Sequence, residues 1–194
     1  MIDRPDPPSL SPGPVQRELL AEAGALGVPR DYGRSRGLRR VREARALEPI
    51  GSDAHGRDQW LIPRAARAWQ RMRAGAAAGG IELHVVSAFR SIAYQLDLIR
   101  RKLAQDQSIE QILSVSAAPG YSEHHSGRAL DLTTPGFAAL EEEFERSAAF
   151  AWLSANAAHF GFRMSYPRGN RHGIVYEPWH WCWHAKQRTQ SIRP

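Results

Sequence analysis

Cysteine is almost missing from this chain of 194 residues: Cys182 stands alone. One thiol excludes an intrachain disulfide framework, so a chain of this length must hold itself together with its own core. A lone cysteine fits the cytoplasm and is also compatible with the periplasm. Long apolar runs are missing too. Nothing approaches the ~18 apolar residues of a membrane helix, and the opening Met1-Ile2-Asp3-Arg4-Pro5-Asp6-Pro7-Pro8 has no apolar h-region. As written, the sequence reads as soluble and cytoplasmic, with a periplasmic or wall-associated setting compatible. An acidic excess is absent: 26 Lys+Arg face 20 Asp+Glu, a net charge of +6. That balance favours anionic surroundings such as wall polymers, nucleic acid or lipid head groups. Arginine supplies most of the positive charge and is spread along the chain. General solubility or attraction to an acidic wall therefore explains it better than a dedicated nucleic-acid surface.

The length suits one domain with an added N-terminal segment, and no internal repeat is present. Residues 1 to about 13, rich in Pro and Ser, read as an unstructured lead-in. Pro14 can open a helix to about Ala25, with Val15, Leu19, Leu20, Ala23 and Leu26 at helical spacing and Gly27 as its stop. The arginine-rich run from Arg34 to Arg45 holds Leu38 and Val41 and reads as a short amphipathic helix with a basic solvated face. Residues 51–58 read as a polar turn carrying His55. Pro63 opens a helix to about Ala78, which Gly79-Gly80 ends. Ile81 to Ala88 alternates as a strand, and Arg90 falls just past its end. Helices follow over about 92–104 and 109–115. Arg128 to Leu132 reads as a short strand with Ala129 and Asp131 on one face and Leu130 and Leu132 on the other. Ser147 is a candidate N-cap for a helix to about Phe160, with Gly161 beyond it. Ile174 to Trp183 reads as a strand interrupted near Pro178.

Two of these stretches carry the chemistry. His124 and Asp131 have six residues between them, and Glu177 stands three positions before His180. Two imidazoles and one carboxylate can hold a divalent zinc and leave a coordination position for water. A second carboxylate beside that water can take its proton, which is metallopeptidase chemistry. Gly127 lets the chain bend between His124 and Asp131. Pro178 breaks strand alternation, so Glu177 and His180 can share a side across one turn or one bulge. Two alternatives stay open. His125 could replace His124 as the ligand, and Cys182, His184 and His180 could form a different site. Trp179, Trp181 and Trp183 alternate as core or cleft wall.

These residues resemble the VanY-type D-alanyl-D-alanine carboxypeptidases, M15-family zinc peptidases. The family pattern Ser-x-His-x-x-Gly-x-Ala-x-Asp is met at Ser122, His124, Gly127, Ala129 and Asp131. Its Glu-x-Trp-His is met at Glu177, Trp179 and His180, and its upstream Ser-x-aromatic-Arg-Ser with a following Gln at Ser87, Phe89, Arg90, Ser91 and Gln95. The likeness covers residues 60 to 185. It implies an α+β fold shared with the Hedgehog signalling domain, a small antiparallel sheet flanked by helices. It also implies one zinc ion on His124, Asp131 and His180, with Glu177 as catalytic base. Arg90 would steady the substrate carbonyl or carboxylate, and Ser91, Gln95, Ser122 and Tyr166 would line the substrate pocket. The implied substrate is a peptidoglycan stem peptide or precursor cut at or near its C-terminus, most simply at D-Ala-D-Ala. L,D-carboxypeptidase and endolysin-type endopeptidase activity are the alternatives within that class. A non-catalytic, zinc-containing module that binds wall peptides is the alternative outside it. The expected organisation is a monomer with an N-terminal extension over 1–56, a catalytic domain over 57–187 and a tail over 188–194.

Overall fold

The computed structural model describes residues 13–185. Residues 1–12 of the expected lead-in and the tail over 188–194 lie outside them. Helix α1 (Gly13–Ala25) starts the described chain, followed by a single turn, α2 (Tyr32–Ser35). A hairpin of β1 (Glu48–Ser52) and β2 (Asp58–Leu61) precedes α3 (Pro63–Ala78). Then come β3 (His84–Ser87), α4 (Ile92–Leu103), α5 (Ile109–Val115), β4 (Ala129–Thr133), α6 (Ala148–Asn156), β5 (Phe162–Met164) and β6 (His180–Trp183). The main sheet is antiparallel in the order β3-β4-β6-β5.

Local chemistry sets the element ends. Pro63 opens α3, where its missing N–H costs nothing. Ser91 caps α4 by accepting from Tyr94 N, and Ser147 caps α6 by accepting from Phe150 N. Ser108 and Gln111 form a reciprocal capping box on α5. A 3-10 turn over Ala157–Phe160 finishes the helix expected to reach Phe160, and Gly161 ends it at φ 89°.

Alternation along the central strands divides the molecule. Leu130 and Leu132 of β4 join Trp181 and Trp183 of β6 in the core, against Ala65, Trp69, Met72 and Ala76 of α3. Each fully buried large apolar side chain there stabilises the fold by about 1.5–3 kcal/mol. Asp131, between the two leucines, and His180, just before Trp181, face the other way and pair across β4 and β6. Ser87 pairs with Asp131 from β3, beside a register irregularity. The end of β3, the middle of β4 and the start of β6 therefore meet at one point.

Two local expectations are corrected, a third gains detail and one strand is new. The run from Arg34 to Arg45 is not a helix beyond α2. Val41 N donates to Gly120 O and Ala44 N to His125 O, so the segment lies extended along the loop before β4. The polar turn expected over 51–58 is the tip of the β1–β2 hairpin, with strands on both sides. The strand expected from Ile174 begins only at His180, because Pro178 has no N–H for a ladder and His180 N turns back to Glu177 O. Strand β5 was not expected.

Residues from the 13–56 stretch pack on the rest of the chain. Arg36 donates to Leu113 O and Gly173 O, Glu43 accepts from Ile92 N at the start of α4, and Ala118 N donates to the Tyr32 hydroxyl.

Candidate active site

His124 lies in a 3-10 turn over Glu123–Ser126 that Gly127 closes at φ 63°. A Cβ on Gly127 would meet Leu47, Ile62 and Ala44 at 3.0–3.2 Å, so both conformation and space call for glycine. The turn buries His124 at 1% exposure. Burial, with the positive Arg90 adding to it, pushes His124 down to about 4, so its ring is neutral. Its Nδ1 donates to Ala88 O, which leaves the Nε2 lone pair pointing inward. That nitrogen is buried, lies 3.2 Å from Asp131 Oδ2 and makes no aligned hydrogen bond there.

Asp131 sits between the two histidines. Its Oδ1 is 3.0 Å from His180 Nδ1, and its Oδ2 accepts from Arg90 at 3.1 Å. Burial alone would raise its pKa, but His124, His180 and Arg90 hold the carboxyl well below the usual range. His180 is flanked by acids on both nitrogens, since its Nε2 meets Glu123 Oε2 at 3.0 Å. Burial opposes the charge on His180, yet hydrogen bonds to Asp131 and Glu123 outweigh it and lift the ring to about 10. The Nδ1 nitrogen thus faces the carboxyl groups of Asp131 and Glu177, a place where a cation is favoured.

One atom from each of His124, Asp131 and His180 lies within 4.8 Å of the others, and all three residues are buried. Zinc–nitrogen and zinc–oxygen bonds of ~2 Å reach that span. The unpartnered His124 Nε2 and the mixed imidazole–carboxylate donor set fit a zinc ion. His124, Asp131 and His180 are the group among the described residues able to hold one.

Glu177 stands next to this cluster, with Oε2 3.8 Å from His180 Nδ1. The segment Glu177-Pro178-Trp179-His180 is a turn, and Tyr166 O anchors it by accepting from Glu177 N. Burial pushes Glu177 up to about 7, with Asp131 and Glu123 adding to the rise and His180 and Arg90 opposing it. The group can therefore both take and return a proton near neutrality. Arg90 is fixed through its backbone, its N donating to His124 O and its O accepting from His125 Nδ1.

The cluster opens into a cleft of about 680 Å³ lined by, among others, Ser87, Phe89, Arg90, Ser91, Ser122, Tyr166 and Trp179. The Tyr166 ring packs 4.9 Å from that of His180, and burial raises its hydroxyl pKa, so it stays a neutral phenol. Gln95 does not reach the cleft. It is fully buried and donates to Ser116 Oγ and Ala117 O, bracing the wall from behind. Both nitrogens of His125 are taken by backbone: Nδ1 donates to Arg90 O and Nε2 accepts from Gly120 N. His184 is exposed, and burial raises the Cys182 thiol pKa, so neither joins a metal group among the described residues.

Glu123 was not singled out from sequence. It bonds Ser165 Oγ at 2.5 Å as well as His180, and these contacts, with His124 nearby, outweigh burial and hold it down at about 2. The available signal was an acid beside a candidate metal histidine, since such histidines commonly donate their second nitrogen to a carboxylate.

Residues 58–186 match the family model described as VanY, D-alanyl-D-alanine carboxypeptidase. The Bacillus subtilis protein YodJ is 31% identical over 140 residues, which cover 70% of this chain and 50% of YodJ. The chain thus spans about half the length of that relative. The solved structure of the LdcB LD-carboxypeptidase aligns with a TM-score of 0.66 at 29% identity, over 75% of this chain and 71% of that one. A mutant of the vancomycin-resistance D,D-pentapeptidase VanY, in complex with Zn(II), shares the fold with a TM-score of 0.56 at 24% identity, over 74% of this chain and 86% of its own. With two thirds of its length matched by the family model and its fold shared with solved carboxypeptidases, this chain belongs to the VanY D-alanyl-D-alanine carboxypeptidase family.

Proposed function

We propose that this protein is a zinc-dependent peptidase that removes the C-terminal residue of peptidoglycan stem peptides, acting as a D-Ala-D-Ala carboxypeptidase. The observation that carries this reading is the convergence of His124 Nε2, Asp131 and His180 Nδ1 beside an unligated Glu177. A site built only for structure needs neither that glutamate nor Arg90. His124, Asp131 and His180 would hold the ion. Zinc in that place supplies a water acidic enough to ionise near neutral pH and a Lewis acid for the scissile carbonyl.

The chain's own groups do the rest. The Glu177 carboxylate accepts one proton from the attacking water as its oxygen bonds the carbonyl carbon. It then delivers that proton to the nitrogen of the leaving amino acid as the C–N bond breaks. The Arg90 guanidinium lies at the mouth, where it can meet charge developing on the carbonyl oxygen, a contribution of about 3 kcal/mol for a well-placed donor. Asp131 offsets part of the local positive charge. Glu123, pinned by Ser165, accepts a hydrogen bond from His180 Nε2–H and so would turn the Nδ1 lone pair toward the ion.

Incubating the protein and zinc with a pentapeptide ending in D-Ala-D-Ala tests this by mass spectrometry. The expected product has lost one alanine, and a chelator abolishes its formation. The Glu177→Ala variant should keep its zinc and lose about 10²–10⁴-fold in turnover. Near-normal turnover would remove Glu177 from the mechanism, and an intact pentapeptide with the wild type would overturn D,D cleavage, leaving L,D cleavage or peptide binding without cleavage. The likeness to the LdcB LD-carboxypeptidase supports a second reading, L,D cleavage of the shortened tetrapeptide. The same assay run on that peptide distinguishes them.

A further inference from the structure

The cleft continues beyond the metal cluster along α4. Ser91, Tyr94, Leu98 and Lys102 follow one another at intervals of three or four residues, share one helix face and all line the cleft. At ~1.5 Å per residue this face runs on the order of 16 Å, several residues of an extended peptide. The apolar side chains agree. Among the described residues five large ones are exposed, and four of them, Tyr94, Val115, Leu140 and Val175, line this cleft. Such clustering of exposed apolar surface marks a binding surface rather than chance exposure.

Lys102 is the odd charge in that groove. Three Lys or Arg side chains line the cleft. Arg57 is paired with Asp53 and Arg90 with Asp131, whereas Lys102 has no carboxylate at ion-pair distance among the described residues. It is half-buried, and it is one of only two lysines in a chain with 24 arginines. Burial, and then the nearby positive Arg90, both pull its ammonium pKa down. A partly desolvated cation facing another cation carries a cost that an incoming anion would relieve.

We propose that Lys102 is an anion subsite of the α4 groove, taking a carboxylate of the bound peptide apart from the reacting carbonyl. The proposal rests on reading the cleft as a peptide site. Two carboxylates share this chemistry: an acidic side chain upstream of the scissile bond and the α-carboxylate of the leaving residue. Their positions in the peptide differ, so amidating one at a time separates them.

The test is calorimetric binding to the full-length, zinc-loaded protein carrying Glu177→Ala, so that peptides bind without being cut. Three peptides ending in D-Ala-D-Ala are compared. One has a free side-chain carboxylate on the residue before that pair, one has this group amidated, and one has an amidated C-terminus. One of the amidations should weaken binding about tenfold, or ~1.4 kcal/mol, when Lys102 is present. That difference should vanish in Lys102→Met and persist in Lys102→Arg, which keeps the charge. The amidation that shows this dependence names the carboxylate. Equal peptide preferences in Lys102→Met and its parent, or no binding of any peptide, would overturn the subsite. Hydrolysis of the same peptides by protein with Glu177 intact is read separately. Cleavage without a Lys102-dependent preference overturns the subsite alone, and charge-dependent binding without cleavage overturns the peptidase reading alone.

Discussion

Glu123 carries a role that its neighbour His124 hides. Both belong to one short turn, yet His124 points its Nε2 at Asp131 while Glu123 reaches under His180 and is tied to Ser165. The two histidines are oriented by different means, one by the carbonyl of Ala88 and the other by a carboxylate. Losing such an outer partner typically costs 10–100-fold in metal affinity. Glu123→Ala should therefore weaken zinc binding by about that factor in a chelator competition, and Glu123→Gln, whose amide oxygen still accepts from Nε2, should weaken it less. Unchanged affinity in Glu123→Ala would leave Glu123 as a packing residue. His125 shows the converse. It looked exchangeable with His124 because residue type and spacing cannot reveal which ring nitrogens the backbone has already taken.

The β1–β2 hairpin links distant sequence to the cleft. Its residues Arg57, Asp58, Gln59 and Trp60 line one wall, and Gln59 Oε1 and Trp60 O accept from Ala88 N and Phe89 N, next to Arg90. Asp53 organises the hairpin tip, accepting from His55 N, Arg57 N, Arg57 Nε and Gln59 Nε2. Burial works to raise its pKa, but the backbone N–H groups of Arg57 and His55 and the Arg57 side chain lower it overall. A folded pKa below the unfolded one gives stability that is present above the ordinary carboxylate range and lost as pH falls through the folded value. Asp53→Asn should thus lower stability near pH 7 by about 1–3 kcal/mol in denaturant melts, with the difference from wild type shrinking on acidification. A difference that grew at low pH would contradict this. Strong local signals made much of the fold legible: Pro63 and Gly79-Gly80 bracket α3, Ser147 and Gly161 bracket α6 with its final turn, and alternation places Asp131 opposite Leu130. Tertiary bonds hid the rest. The spacing of Leu38 and Val41 suits a helix, but Val41 and Ala44 spend their N–H groups on the loop before β4. Strand β5 spans only Phe162–Met164, too short to show alternation, and exists because β6 offers it an edge.

Across the molecule, the sheet serves as a frame that brings sequence-distant groups together. Asp131 and His180 pair across β4 and β6, His124 arrives from the preceding turn, and Glu177 and Arg90 close on them from two loops. The side facing α3 supplies the apolar core, while the opposite side buries charges that are costly without compensation. Motif spacing in the sequence pointed to this ligand set, whereas the cleft behind it, with its apolar walls and Lys102, became visible only once α4, α5 and the loop around Val175 were packed together. The central claim is that two imidazoles and one carboxylate, without the thiol of Cys182, hold a single zinc. X-ray absorption at the zinc edge of the zinc-loaded, full-length protein tests it most directly. The account predicts a shell of nitrogen and oxygen at ~2.0–2.1 Å with the outer scattering of two imidazoles, and a sulfur at ~2.3 Å or a protein that takes up no zinc would contradict it.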